Sequence, residues 1–250
     1  MRSDPQRLYL DFDGVLCDSL EECFRSSWLA RAGVPLGPDL PPEPPADPAY
    51  RRRFDACRPF IRSGEDYLVV HEWAAEGRIP ADQGEFDASL GAKGDEVLAG
   101  FKTKIYAVRE RLLEDHHELW LSWNPLYPGM ARALAAQVDN PEVWILSTKK
   151  AEFIAEILRY HGVAWPLDRI VYTGPRKKLD LIGELSGARP TVLIDDQIDH
   201  LDFHHPSCQS FLALWGYISP GAAGLAQASL TLSQALDRIS SFPGSPRPAG

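Results

Sequence analysis

The chain has 250 residues, of which 44% are hydrophobic, 10% aromatic and 24% charged. That composition is globular and excludes a disordered or fibrous chain. Twenty-six Lys and Arg against 35 Asp and Glu give a formal charge of −9, and an acidic protein is a poor ligand for polyphosphate, so nucleic acid is not an expected partner.

The start, MRSDPQRLYLDFDG, is charged and runs directly into a strand pattern, without the features of a secretory signal. The longest unbroken apolar run is Phe211 to Trp215, far short of the ~20 residues that a membrane span needs. No membrane partner is expected, and the expected location is cytoplasmic. Cys17, Cys23, Cys57 and Cys208 form no C-x-x-C pair. They are expected to be reduced thiols, with no disulfide framework and no structural zinc.

In chain order, Arg7 to Phe12 reads as a buried strand and Leu20 to Ala32 as a helix closed by Gly33. Residues 33–48 hold seven prolines in sixteen positions. Such a stretch forms neither a helix nor a central strand and is expected to be a semi-rigid connector. Helical patterns follow over residues 49–57, 64–76 and 95–123. Trp73, Trp120 and Trp123 fall in them, as core residues.

Alternation then begins. Helices are predicted over 129–138, 151–161 and 179–185. Strands are predicted over 142–147, 169–172, 191–195 and 210–214. The expected fold class is α/β, a Rossmann-like parallel sheet with helices on both faces. Its core is residues 1–16 and 125–240, with residues 17–124 as a helical insertion after the first strand and 33–48 as its proline-rich start. Residues 241–250, rich in Ser, Pro and Gly, are expected to be a flexible tail.

The predicted strands deliver chemistry to one edge. The first ends in Asp11, then Asp13 and Gly14, and strand alternation would put both carboxylates on one side. The second ends in Ser147 and Thr148, with Lys149 and Lys150 as a solvated helix start. Arg176, Lys177 and Lys178 precede a helix. Only one of the two lysines can aim inward, and Lys178 is preferred because Leu181 and Ile182 then give that helix a buried face. The strand 191–195 ends in Asp195 and Asp196, with Asp199 beyond. In open α/β sheets ligands bind at the carboxyl ends of strands. Three carboxylates can hold Mg²⁺, a lysine and a hydroxyl can orient phosphate oxygens, and a carboxylate can attack phosphorus. The set fits phosphoryl transfer. His200, His204 and His205 are expected to be surface or packing residues.

The string L-Y-L-D-F-D-G-V-L-C-D-S over residues 8–19, the later Ser147, Lys178 and Asp195-Asp196 segments, and Leu126-Tyr127-Pro128-Gly129 resemble the haloacid dehalogenase superfamily in its phosphatase branch. Phosphoglycolate phosphatases are the nearest named case. The resemblance implies that Asp11 is the nucleophile and a metal ligand. It implies that Asp13 is the general acid and then base, with its backbone carbonyl on the metal. Ser147 would bind the phosphoryl group, and Lys178 would neutralise it together with Asp11. Asp196 would bind Mg²⁺ with Asp195 as support or second ligand. An Asp at position 13 favours phosphate-ester chemistry over dehalogenation. The family often has Asn after the hydroxyl; here Thr148 stands as the substrate contact.

The insertion corresponds to a C1-type helical cap. In it, Arg58 and Arg62 are four apart, on one face if helical, and could clamp an anionic part of the substrate. The expected function is a Mg²⁺-dependent phosphatase acting on a small phosphate ester through an aspartyl-phosphate. A sugar phosphomutase and a non-catalytic binding protein on the same core are the alternatives.

Overall fold

The computed structural model describes residues 6–244. Along the chain come β1 (Arg7–Leu10), α1 (Leu20–Ala32), α2 (Pro48–Cys57), α3 (Tyr67–Glu76), α4 (Gln83–Gly91), α5 (Asp95–Asp115) and α6 (His117–Ser122). They are followed by α7 (Met130–Ala135), β2 (Val143–Ser147), α8 (Ala151–Tyr160), β3 (Ile170–Tyr172), α9 (Lys178–Ser186) and β4 (Thr191–Asp195). Last are β5 (Cys208–Ala213), α10 (Ala222–Leu225), β6 (Ser229–Leu230) and α11 (Leu232–Ser240). The backbone divides into two units. One runs to Asp18 and resumes at Leu126; the other is Ser19–Pro125.

The first unit is an α/β domain around a parallel sheet of order β3-β2-β1-β4-β5-β6. Leu8, Leu10, Val192, Ile194 and Leu146 are fully buried, as strands covered on both faces require. Leu181 and Ile182 of α9 pack with Tyr9, Leu146 and Leu193 on one face. Helix α8 buries Phe153, Ile154, Ile157 and Leu158, the stripe that a 3.6-residue period gives. The sheet reverses its order at β1, so β1 and β4 flank the switch point where such sheets bind ligands.

Several boundaries differ from expectation. β1 ends at Leu10, two residues early, because the Phe12 carbonyl accepts the N–H groups of Val15, Leu16 and Cys17 and curls the chain into a turn. The edge strand β6, Ser229–Leu230, is too short to be seen in the sequence, and helix α11, which buries Ala235 and Ile239, was not anticipated. The C-terminal residues 241–244 are not a loose tail. The Ser241 N–H donates to Asp237, and Phe242 is buried. Residues 245–250 of the expected tail lie outside the described residues.

The second unit is helical. Phe24, Phe54, Tyr67, Val70, Trp73, Phe86 and Ile105 form its apolar core, and residues 33–47 contain no helix or strand. Trp73, Trp120 and Trp123 are buried. The predicted helix over 95–123 breaks at His116, whose φ of −136° is not helical and whose Nε2 lies 2.8 Å from the Gly37 carbonyl. Helix α4 was not anticipated; its side chains give no clear stripe, and only Phe86 is buried. Arg58 and Arg62 do not share an α-helical face, because α2 stops at Cys57 and Arg58–Phe60 is a 3₁₀ turn. Arg58 is buried. The Arg62 guanidinium donates to the Pro59 and Ile61 carbonyls and to Gln83.

A buried ion pair ties three helices of this unit. Arg109 of α5 donates from Nε and Nη2 to the two oxygens of Glu22 in α1, at 2.7 and 2.8 Å. The indole N–H of Trp120 in α6 donates to the same carboxylate at 3.2 Å. Truncating one member of a buried pair leaves the other charge uncompensated. Arg109→Ala is therefore expected to lower unfolding stability by about 3–5 kcal/mol, measured by urea denaturation. The paired change Glu22→Gln with Arg109→Met should recover much of that loss.

Candidate active site

The register of the two central strands builds the site. Leu10 of β1 pairs with Ile194 of β4, and the Asp11 N–H donates to the Ile194 carbonyl at 3.0 Å. The residues that follow, Asp11 and Asp195, therefore emerge side by side at the carboxyl edge. Lys178, the first residue of α9, reaches between them. Its Nζ lies 2.8 Å from Asp11 Oδ1 and 2.6 Å from Asp195 Oδ2. Lys178 is 3% exposed and Lys177 is exposed.

Asp196 completes an acidic cluster. Asp11, Asp195 and Asp196 each offer a carboxylate oxygen within 4.8 Å of the others, and all three are buried. Three hard oxygen donors converging in this way suit a small divalent cation. The backbone leaves room for them. Gly14 has φ +83°, and a Cβ built there would lie 2.0 Å from Asp196 Oδ2. A side chain at position 14 would occupy the space that the carboxylate fills.

The two carboxylates that share Lys178 differ in charge state. Burial pushes the Asp11 carboxyl up to about 6, with Lys178 opposing and the Asp195 charge adding to the rise. Burial also acts against the Asp195 charge, but Lys178 and His200 overcome it and hold that carboxyl below its ordinary range. His200 Nδ1 lies 3.2 Å from both oxygens of Asp195. Burial lowers the imidazole's proton affinity, and Asp195 more than reverses this. Lys178 is likewise held above its usual value by its two carboxylates against burial. Asp195, with two cationic partners, is thus the firm anion, and Asp11 carries the penalty of burial.

Asp13 stands apart from this cluster. It lies in the turn beyond β1, so strand alternation does not place it. Its Oδ1 is 2.9 Å from Lys149 Nζ. Lys149 is 4% exposed, which overturns the expectation of a solvated helix start. Lys150 alone is partly exposed there. Ser147 is buried at the end of β2, where its Oγ accepts the Lys149 N–H at 3.3 Å, and Thr148 is partly exposed. His200 was expected to be a surface or packing residue and instead faces Asp195. Sequence spacing carried little sign of either residue. Lys149 is one of two adjacent lysines, and His200 lies five positions past Asp195 on a separate 3₁₀ turn, Ile198–His200. Asp199 is exposed. All four cysteines are buried. Among the described residues no helix is long and apolar enough to cross a membrane.

No protein-family model matches the chain, and no curated protein matches it. Solved structures do. A predicted phosphoglycolate phosphatase from Haemophilus somnus 129PT is 16% identical, with a TM-score of 0.57 over 95% of this chain and 99% of that one. A hydrolase from Pseudomonas syringae is 17% identical, with a TM-score of 0.54 over 97% and 100%. A haloacid dehalogenase-like hydrolase from Streptococcus pneumoniae is 13% identical, with a TM-score of 0.52 over 94% and 98%. The fold is that of the haloacid dehalogenase-like hydrolases.

A carboxyl raised in the folded state binds its proton more tightly there than in the unfolded chain. Its contribution to stability therefore falls as pH rises from 3.8 through about 6. Asp11→Asn removes this dependence. In EDTA, the Tm of that variant relative to the unsubstituted chain should increase between about pH 5 and about pH 7.5, as read by calorimetry.

Proposed function

We propose that the protein is a Mg²⁺-dependent phosphatase that hydrolyses a small phosphate ester through an aspartyl-phosphate on Asp11. The observation that carries this reading is the buried Lys178 bridging Asp11 and Asp195 beside Asp196, at the switch point of a parallel sheet. Charge balance supports it. Four carboxylates, Asp11, Asp13, Asp195 and Asp196, face two lysines, Lys149 and Lys178, and the His200 imidazole. A divalent cation would offset the excess.

Asp11, Asp195 and Asp196 would hold Mg²⁺, with the Asp13 backbone carbonyl as a further oxygen. When bound, the ion supplies positive charge that favours ionised Asp11 and neutralises phosphoryl oxygens. Asp11 attacks phosphorus in line as the carboxylate. The Asp–O–P bond forms while the ester P–O bond breaks, and the departing oxygen takes a proton from Asp13. Water then attacks the aspartyl-phosphate, giving its proton to Asp13 and releasing inorganic phosphate. Lys178 holds Asp11 in place and would meet the phosphoryl oxygens, and the Ser147 hydroxyl donates to one of them. Thr148 would touch the substrate.

Lys149 bears on the double role of Asp13. Its ammonium favours the Asp13 anion, the form that accepts a proton from water. A phosphoryl dianion entering the site competes for Lys149, which lets Asp13 hold the proton that the leaving group needs. The helical unit 19–125 would act as a cap that selects substrate and limits water.

Phosphate release from a panel of phosphorylated metabolites, 2-phosphoglycolate among them, tests the reading. Release should require Mg²⁺, cease in EDTA, and fall at least ~10³-fold in Asp11→Asn with the fold retained. Retained turnover in Asp11→Asn would remove Asp11 as nucleophile. The rate should also fall on the acid side as Asp11 gains its proton. Saturating Mg²⁺ should move that limb to lower pH, because the cation favours the anion; a limb that does not move would separate Asp11 from the metal.

A further inference from the structure

The segment after β5, Trp215-Gly216-Tyr217, carries no functional expectation from the sequence, yet it closes on Asp196 and on the turn after β1. The Trp215 indole N–H donates to the Val15 carbonyl at 3.0 Å. Gly216 lies between Asp196 and the Gly14 carbonyl. A Cβ built on it would fall 2.4 Å from Asp196 Cβ and 2.4 Å from Gly14 O. The Tyr217 backbone N–H donates to Asp196 Oδ2 at 2.7 Å. Its hydroxyl donates to Asp18 Oδ1 at 2.6 Å.

These contacts run through one residue. The Tyr217 backbone fixes an oxygen of Asp196, while its side chain is moored to Asp18 on the segment that leaves the nucleophile turn. A backbone donor holds a carboxylate well only if the loop carrying it is held too. We propose that Tyr217 is a positioning residue: its hydroxyl, bonded to Asp18, anchors the loop whose N–H sets the Asp196 carboxylate for a divalent cation. This rests on the metal-dependent reading above. Tyr217 itself touches neither the reacting carboxylate nor, in this role, the substrate.

The test is Mg²⁺ titration of the full chain by isothermal titration calorimetry without substrate. Tyr217→Phe removes only the hydroxyl. Its Kd for Mg²⁺ should rise about 3–10-fold, the range one net hydrogen bond spans. Its Tm in EDTA should be unchanged, and kcat and KM should return to those of the unsubstituted protein at saturating Mg²⁺. Gly216→Ala should lose most Mg²⁺ binding, since its methyl group would displace both Asp196 and the Gly14 carbonyl. If that variant does not fold, the Tyr217→Phe titration decides alone. An unchanged Kd in Tyr217→Phe would overturn the inference and leave the phosphatase reading standing. A drop in Tm with no recovery at high Mg²⁺ would also overturn it, by making Tyr217 merely structural. Failure of the unsubstituted protein to bind Mg²⁺ would instead overturn the phosphatase reading, and this inference with it.

Discussion

The site depends on a buried ammonium held between two carboxylates. Lys178 is the first residue of α9, where the helix dipole disfavours a cation. Burial adds a further cost. Both are offset only because Asp11 and Asp195 sit on adjacent parallel strands in a register that brings their carboxylates to the same nitrogen. Removing Lys178 would leave two buried carboxylates without their shared cation, a loss of about 3–5 kcal/mol in comparable settings. The sheet order, the turn at Phe12 and the start of α9 are thus constrained together.

The same contact divides labour among the acids. Asp195 has Lys178 and His200 and stays ionised. Asp11 shares Lys178 and is the more easily protonated, so a further cation favours its nucleophilic form. Asp13 pairs with a different lysine, Lys149. In the proposed reaction a nucleophile and an acid–base group two residues apart in the chain would need different electrostatic surroundings. The turn after β1 carries Asp13 off the strand instead of continuing the alternation.

The parallel core was legible because its strands are short apolar runs ending in charged or hydroxyl residues, and its helices carry regular apolar stripes. Asp11, Ser147, Lys178 and Asp195-Asp196 were visible for the same reason: each stands at an element end, where a pattern breaks. What escaped lacks such a signature. Lys149 looks like any surface lysine until β2 and the Asp13 turn are folded together. His200 becomes a partner of Asp195 only through a 3₁₀ turn. Trp215-Gly216-Tyr217 makes its contacts through an indole N–H, a backbone N–H, a phenol hydroxyl and the missing Cβ of Gly216, none of which periodicity records. In the helical unit, Arg58 and Arg62 do not share the face that an i, i+4 spacing gives inside an α-helix, because α2 ends before Arg58. The break at His116 was hidden because the residues on both sides are good helix formers.

The account turns on Asp11 forming a bond to phosphorus. The most direct measurement is acid quenching during turnover of the best substrate with Mg²⁺, followed by peptide mass spectrometry to locate the phosphoryl group. The account predicts an acid-stable, hydroxylamine-labile phosphoryl adduct on Asp11 that appears within the first turnover. Turnover with the phosphoryl group on another residue, or on none under conditions where a standard acyl phosphate survives, would contradict it.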